Sequence, residues 1–437
     1  MHPLAKCLGA LSIALLLAAC PSFATVNARP GQRAARPGVH FRPAVNLLSP
    51  SGELLSEFKL LADNPSEVGY FGWVVDIDGD TAVVSALGNR FAGHPDNIVN
   101  VYVRQETGWV LQQTLSAHDD DPTADDAFAY SLAVDGDTLV VGAIGDSDGA
   151  FVAGAAYVYA RSGSSWSLQQ KLVASDAVSF AAYGISVAVE GDAVVVGAHG
   201  DDDFGYMTGA AYVYRRQGAV WTEEQKLLAS DPAPENAFGL DVAIDGRTIA
   251  VGAPNVSSGG SSYSGAVYTF VRDEAGWTQE AKLTARDAAE NQVFGTGVSV
   301  SGDTMVVAAP GDKVGTHTYG AAYVYGRDGS GWTQQRKLID TDVKRFEGFA
   351  WSVAVDGDTI AVGNICSNEA AGFGGAVHLY ARNGNSGWSL TEKLTAGDAA
   401  YLDLLGGSVA VSGGTVIAGV PSKDGLTTES GAAYIFR

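Results

Sequence analysis

The sequence predicts an all-β chain: a seven-bladed β-propeller of four-stranded antiparallel blades, closed by an N-terminal strand that completes the last blade. Three observations lead there. The pattern Trp-x-x-x-x-Lys-Leu recurs from Trp109 through Trp166, Trp221, Trp277, Trp332 and Trp388, with Thr114 standing for Lys in the first, at steps of 55 to 57 residues. Such a period marks a chain built from one module in series. Each module holds four short runs rich in β-branched and aromatic residues and leaves no room for a helix. The two ends are complementary, since the last copy stops after its third strand while residues 54–61 supply a fourth strand with no blade of its own.

Taken in order, residues 1–24 read as an export signal, in which Lys6 precedes an apolar stretch from Leu8 to Ala19 that is too short to span a membrane well. Two processing sites are open. Leu17-Ala18-Ala19-Cys20 is lipobox-like and would leave Cys20 lipidated, whereas Ser22-Phe23-Ala24 fits cleavage after small residues. Either route predicts an exported protein, whether periplasmic, secreted or an outer-membrane lipoprotein. Residues 25–52 are rich in Arg, Pro, Ala and Gly without an apolar period, and read as a flexible tether. The propeller is expected over residues 53–437. Its only cysteine is Cys366, so no disulfide is expected within it.

The third copy shows the module most clearly. Tyr183 to Val189 and Ala193 to Ala198 are two β-branched runs joined by Glu190-Gly191-Asp192, a hairpin whose glycine tolerates the positive φ the turn needs. Gly209-Ala210-Ala211-Tyr212-Val213-Tyr214 forms the third strand, and Trp221 to Leu228 the fourth. A four-stranded meander repeated seven times buries both faces best against its neighbours around an axis. An open solenoid would need polar end caps, and the sequence carries none.

These residues resemble FG-GAP repeats, the units of the seven-bladed propeller in integrin α subunits. The signature residues stand as Phe71-Gly72, Phe238-Gly239 and Phe294-Gly295, with Gly252-Ala253-Pro254 and Ala308-Ala309-Pro310 one strand later. Other copies drift, as in Tyr183-Gly184 and Phe349-Ala350. The resemblance covers residues 53–437 and implies the propeller. Some integrin repeats carry an Asp-x-Asp-x-Asp-Gly calcium loop in the first hairpin. Here that place is a tight turn, such as Asp78-Gly79-Asp80 or Asp135-Gly136-Asp137, which cannot wrap the roughly six to eight oxygens of a calcium site. The turns are read as structural, and calcium is not carried over to them.

A formal charge of −22 argues against nucleic acid or an anionic membrane surface as partner. In a meander the connections alternate between the two ends of the blade. The Asp-Gly turns and the turns into the fourth strands therefore share one rim; the longer, more varied connections share the other, which is the candidate binding face. Candidate ligand-binding residues there are Asp119, Asp120, Asp121, Asp146, Asp148, Phe204, Tyr206, Tyr263 and Tyr319. Asp201, Asp202 and Asp203 form a candidate calcium site, calcium being the one cofactor expected as an option. The recurring Asp176, Asp231, Asp287 and Asp398 read as loop caps. No metalloprotease, nucleophile-elbow or phosphate-loop motif occurs, and Asp241 is the one acidic residue noted on the inner strands. The expected function is a non-catalytic, exported binding or adhesion scaffold at the cell surface. It would offer the acidic loop face to a protein or carbohydrate, with no transmembrane helix in the mature chain. Two alternatives are a hydrolase or lyase acting on polysaccharide through loop carboxylates, and a structural subunit of a surface assembly.

Overall fold

The computed structural model describes residues 45–48, 54–62, 69–88, 97–117, 127–314, 317–340, 348–384, 387–423 and 430–437. Seven antiparallel sheets stand as blades around one axis. Blades 1 to 6 occupy residues 69–116, 128–172, 187–227, 242–283, 298–338 and 349–394, each in the order of a simple meander. Blade 7 joins the two ends of the chain. Its first three strands are Val409–Ser412, Thr415–Val420 and Ala432–Phe436, and Leu54–Leu60 pairs antiparallel with the last of these in the register Phe58↔Ile435 and Leu60↔Ala433. A further strand, Val45–Leu48, pairs outside Leu54–Leu60 and makes this the one five-stranded blade. The end of the expected tether thus contributes to the sheet.

Burial follows the sequence pattern of each strand. Second strands such as Ala193–Ala198 are buried at every position, because both faces meet neighbouring blades. Fourth strands bury mainly the Trp and the Leu of the repeating pattern and turn their other face to water. The core consequently lies between blades. Val195, Val213 and Leu227 of blade 3, for example, pack on Phe238, Val242 and Ile249 at the inner side of blade 4. The aromatic of each Phe-Gly pair meets the third-strand Tyr of its own blade edge to face, at 5.4 Å for Phe294–Tyr323 and 5.5 Å for Phe238–Tyr268.

Adjacent blades touch backbone to backbone. Gly209, at the start of a third strand, forms a parallel bridge with Phe238 of the next blade, and a Cβ at Gly209 would lie 1.9 Å from the Phe238 carbonyl oxygen. Gly431 meets Phe71 in the same way and so closes the ring between blades 7 and 1.

Two hoops of hydrogen bonds complete the seams around the axis. In the first, the glycine N–H of each Asp-Gly-type turn donates to the side chain that opens the turn of the preceding blade. Gly136 donates to Asp78, Gly191 to Asp135, Gly246 to Glu190, Gly302 to Asp245, Gly357 to Ser301, Gly413 to Asp356, and Gly79 to Ser412. The turns read as structural therefore also link blade to blade.

The second hoop lies deeper in the channel. Val134 N–H donates to Asp76, Val242 to Ser186, Val298 to Asp241, Val355 to Ser299 and Val75 to Ser408. At the remaining two seams the hydroxyls of Ser131 and Ser352 donate to the carbonyls of Gly184 and Gly406. Asp76 joins Asp241 as an inner-strand carboxylate that pattern reading had not singled out. Cys366 is buried and is the one cysteine among the described residues.

The close approach at Gly209 makes a paired prediction. Gly209→Ala, with φ of +85° and a backbone collision, is expected to cost more than about 3 kcal/mol. Gly191→Ala, at φ of +54° with open space around it, should cost about 1 kcal/mol. Urea denaturation of the two variants measures the difference.

Candidate functional site

In blades 2 to 5 the fourth strand runs toward the loop rim and delivers its Lys there, and the third strand begins at that rim and delivers its first Tyr; blade 1 has Thr114 and Asn100 in these places, and blade 6 has His378 for the Tyr. The two side chains meet, and carboxylates from the loops close around them. In blade 3 the Lys226 ammonium lies 5.2 Å from the centre of the Tyr212 ring and pairs with Asp176 at 2.8 Å, Asp201 at 2.9 Å and Asp203 at 2.6 Å. The Tyr212 hydroxyl donates to Asp176 and Asp201. Lys171 pairs likewise with Asp146 and Asp148, while Tyr157 donates to Asp146. Lys282 binds Asp231 beside Tyr268; Lys337 binds Asp287 and Asp312 beside Tyr323; Lys393 binds Asp340 and Glu369.

Blade 7 reverses one of these charges. Lys423 stands where blades 2, 3 and 5 carry Asp146, Asp201 and Asp312, and it forms a buried pair with Asp403 at 2.5 Å. Lys59, from the N-terminal strand, supplies the usual fourth-strand ammonium to Asp398.

Electrostatics follow from these contacts. Burial works against the charge on Lys226, but hydrogen bonds to Asp176, Asp203 and Asp201 outweigh it and hold the pKa above the ordinary lysine value. Burial likewise opposes ionisation of Asp398, yet Lys59 and Tyr434 bring its pKa down to about 2. Asp176, Asp231 and Asp287 are lowered in the same sense, each by its Lys and Tyr against the cost of burial.

The sequence-predicted residues therefore divide. Asp119, Asp120 and Asp121 lie outside the described residues. Asp146 and Asp201 are buried and hold Lys and Tyr; Asp148 and Asp203 share the same ammonium groups from the exposed side; Asp202 is exposed and makes no ion pair among the described residues. Asp201, Asp202 and Asp203 do not converge as an oxygen cage, because the place between Asp201 and Asp203 is held by the Lys226 ammonium. Among the described residues no group of three or more acidic, His or Cys side chains is disposed to hold a metal. Tyr319 is half-buried, its backbone bonded to Asp312 and Phe349.

Phe204, Tyr206 and Tyr263 are exposed, at 54%, 70% and 41%. Three more exposed aromatics share this rim. Phe151 and Phe180 meet edge to face at 5.4 Å across the seam of blades 2 and 3, and Tyr401 meets Phe373 at 6.1 Å across that of blades 6 and 7. Backbone bonds join the two loops of each such seam, as in Phe180 N–H to Phe151 O, Glu235 to Tyr206, Asn291 to Ser262 and Leu402 to Gly372. Phe180 escaped notice in the sequence because its equivalents, Glu235, Asn291 and Leu402, share only its left-handed backbone.

At the opposite mouth the axis opens into a cavity of about 230 Å³, lined by the first hoop and by the apolar residue before each of its members, such as Ile77, Val134 and Ile244.

The FG-GAP repeat family matches residues 55–103, 109–159, 166–214, 221–270, 277–325, 332–380 and 388–436. Each unit starts in the fourth strand of one blade and ends in the third strand of the next, so every unit stitches two blades together. No curated protein matches the chain. Similar solved structures include a chain in the crystal structure of the mitotic checkpoint complex, at 12% identity and a TM-score of 0.49 over 94% of this chain and 99% of that one. Sqt1 of Saccharomyces cerevisiae aligns at 10% identity and a TM-score of 0.41 over 86% and 97%. At these scores neither informs the reading of this chain.

Two outcomes are expected from the rim chemistry. Lys226→Met strands the buried Asp201 and should cost about 3 kcal/mol. Lys282→Met leaves only Asp231, which is 54% exposed, and should cost at most about 1 kcal/mol; urea melts compare them. Because Asp176, Asp231, Asp287 and Asp398 have folded pKa values below the ordinary 3.8, their contribution is present above about pH 4 and is lost as pH falls through the folded values. Melting temperature should drop steeply between about pH 4 and pH 2.

Proposed function

Because the chain belongs to the FG-GAP repeat family, with seven units closed into one propeller, we propose that it is a non-catalytic binding scaffold whose loop rim takes a protein or carbohydrate ligand. The observation that carries this reading is the placement of Phe151, Phe180, Phe204, Tyr206, Tyr263 and Tyr401. All six are exposed and all lie on one rim, and loop-to-loop hydrogen bonds at the seams hold the backbones of Phe151, Phe180, Tyr206 and Tyr263. Exposed aromatics so concentrated are a mark of recognition surfaces, since each offers a broad apolar face at little entropic cost. The opposite rim carries short turns whose opening side chains serve the first hoop and whose closing Asp residues, such as Asp80 and Asp137, pair with Arg104 and Arg161 of the third strands.

The carboxylates of the loop rim support the non-catalytic reading. Among the described residues Asp146, Asp176, Asp201, Asp231, Asp287 and Asp312 are committed to Lys and Tyr partners, so any of these would have to give up a structural contact before acting as a general acid or base. Their role in recognition is then to frame the aromatics with polar, hydrogen-bonding groups. We place the protein outside the cytoplasm, at a cell surface or in the periplasm, on the strength of the apolar stretch and the two processing sites near the N-terminus. Among the described residues no helix is long and apolar enough to cross a membrane.

Glycan-array and random-peptide display screens of residues 45–437 test the reading. Substituting Phe204, Tyr206 and Tyr263 together by Ser should leave the melting temperature within a few degrees, because these side chains are exposed, and should abolish the captured signal. Binding that survives this triple variant, or that disappears instead with Asp80→Ser on the turn rim, would falsify the assignment of the loop rim.

A further inference from the structure

The charges of this chain are sorted by position. All 49 acidic residues lie beyond residue 52, whereas residues 25–44 carry Arg29, Arg33, Arg36 and Arg42, three prolines and Phe41, and no acidic residue. This basic stretch joins the propeller at one place. Val45–Leu48 pairs antiparallel with Leu54–Leu60 in the register Val45↔Glu57, and Leu54–Leu60 runs toward the loop rim, where Lys59 binds Asp398. The chain before Val45 therefore enters from the loop rim, at the outer edge of blade 7. We propose that residues 25–44 dock in cis on the loop rim at the seam of blades 6 and 7, with Arg42 on Asp398 and Phe41 on Tyr401, so that the protein's own N-terminal segment covers this seam.

The connection from blade 6 to blade 7 already touches the N-terminal strand at two successive residues. Gly397 N–H donates to the Glu57 carboxylate, and Asp398 pairs with Lys59. Continued for three residues in its register, the outer strand brings Arg42 level with Leu60, beside Asp398. A little farther along the same connection stands Tyr401, 57% exposed and packed edge to face on Phe373. An apolar face and an anionic group thus lie side by side within reach of the entering chain.

The charge balance favours an incoming cation. Among the described residues at this seam Asp340, Glu369, Asp398, Asp403 and Glu57 share the ammonium groups of Lys393, Lys59 and Lys423, so carboxylates outnumber their partners. Glu369 and Asp398 keep 41% and 40% of their side chains exposed, which leaves both open to a second partner. A guanidinium suits such a place because its planar fork binds a carboxylate and its face stacks on an aromatic ring. Prolines at 30, 37 and 43 hold the segment extended and lower the entropy lost on docking. Attachment at Val45 supplies an effective concentration on the order of millimolar, and the extended stretch spans up to about 65 Å, enough for Arg29, Arg33 and Arg36 to meet acidic loops of further seams. The contact needs no external ligand; a ligand for this seam has to displace it.

Photocrosslinking from position 41 of the full chain, with benzoylphenylalanine in place of Phe41, tests the contact. The expected product has the mass of one chain and joins position 41 to the peptide holding Asp398 and Tyr401 or to that holding Glu369 and Phe373. Its yield should fall about three-fold or more between about 20 mM and about 0.5 M salt, as the Debye length shrinks from about 20 Å to about 4 Å. Hydrogen–deuterium exchange supplies a second readout that alters no described residue. Exchange of the same two peptides should rise about three-fold or more when Arg29, Arg33, Arg36 and Arg42 are together replaced by Ser, as expected if the docked form holds about two thirds of the molecules. A product that joins two chains, a product on the turn rim, the absence of any product, or unchanged exchange in the quadruple variant overturns the proposal.

Discussion

Backbone-to-backbone contact between adjacent blades is the condition on which the rest of this molecule depends. Seven sheets close a circle only if every seam has nearly the same width, because a surplus at one must be taken from another. At six of the seven seams glycine at the head of the third strand meets this condition by leaving nothing between its Cα and the next blade's carbonyl, while blade 1 has Asn97 in that place. At Gly154, Gly209, Gly265, Gly320, Gly375 and Gly431 an added Cβ would lie within 2.3 Å of that neighbouring backbone. With the spacing so set, one small polar side chain suffices to bridge each seam near the axis, and the larger apolar side chains fill the widening wedge farther out. The N-terminal strand then fastens the seventh blade from outside.

Within that frame the repeats vary in compensated ways. In blade 5, Gln292 donates to Asp312, which in turn holds Lys337. In blade 7 the equivalent places hold Asp403 and Lys423, so donor and acceptor have traded sides while the contact persists. Blade 6 replaces the third-strand Tyr by His378, which stands 3.5 Å from Asp340, and sets Asn364 on the same carboxylate. Such exchanges show that a charge near the rim is first a matter of satisfying a buried partner. The acidic composition of the chain is in good part the residue of this requirement, repeated around the ring.

The fold was legible because its signals are local and periodic. The Trp and Leu of the fourth strand, the positive-φ glycine of the first turn and the split seventh blade each follow from residues close together in sequence. The candidate site was only partly legible, and the reason lies in distance along the chain. Asp201, Asp202 and Asp203 form an acidic run when read alone. Lys226, which neutralises the run, is 23 residues from Asp203 and was itself read as part of a strand signature. The exposed pair of Phe151 and Phe180 was hidden differently, since its members belong to different blades and only one of them stands in the loop that attracted attention. Asp76 was overlooked because its copies are Ala or Ser, so no recurrence pointed to it.

What the sequence determined by itself is the architecture: the number of blades, the strands of each, the two rims and the closure by both termini. These are consequences of hydrophobic period and turn chemistry, which act over a few residues. What only the tertiary structure decided is which polar groups remain available. An Asp in a loop can cap a turn, bind a cation or bridge two blades, and its own sequence is the same in each case. The outcome depends on whether a Lys, a Tyr or an amide arrives from the adjoining strand or the next blade. Desolvation makes that arrival compulsory for the buried carboxylates, whereas the exposed aromatics of the loop rim keep a face toward solvent.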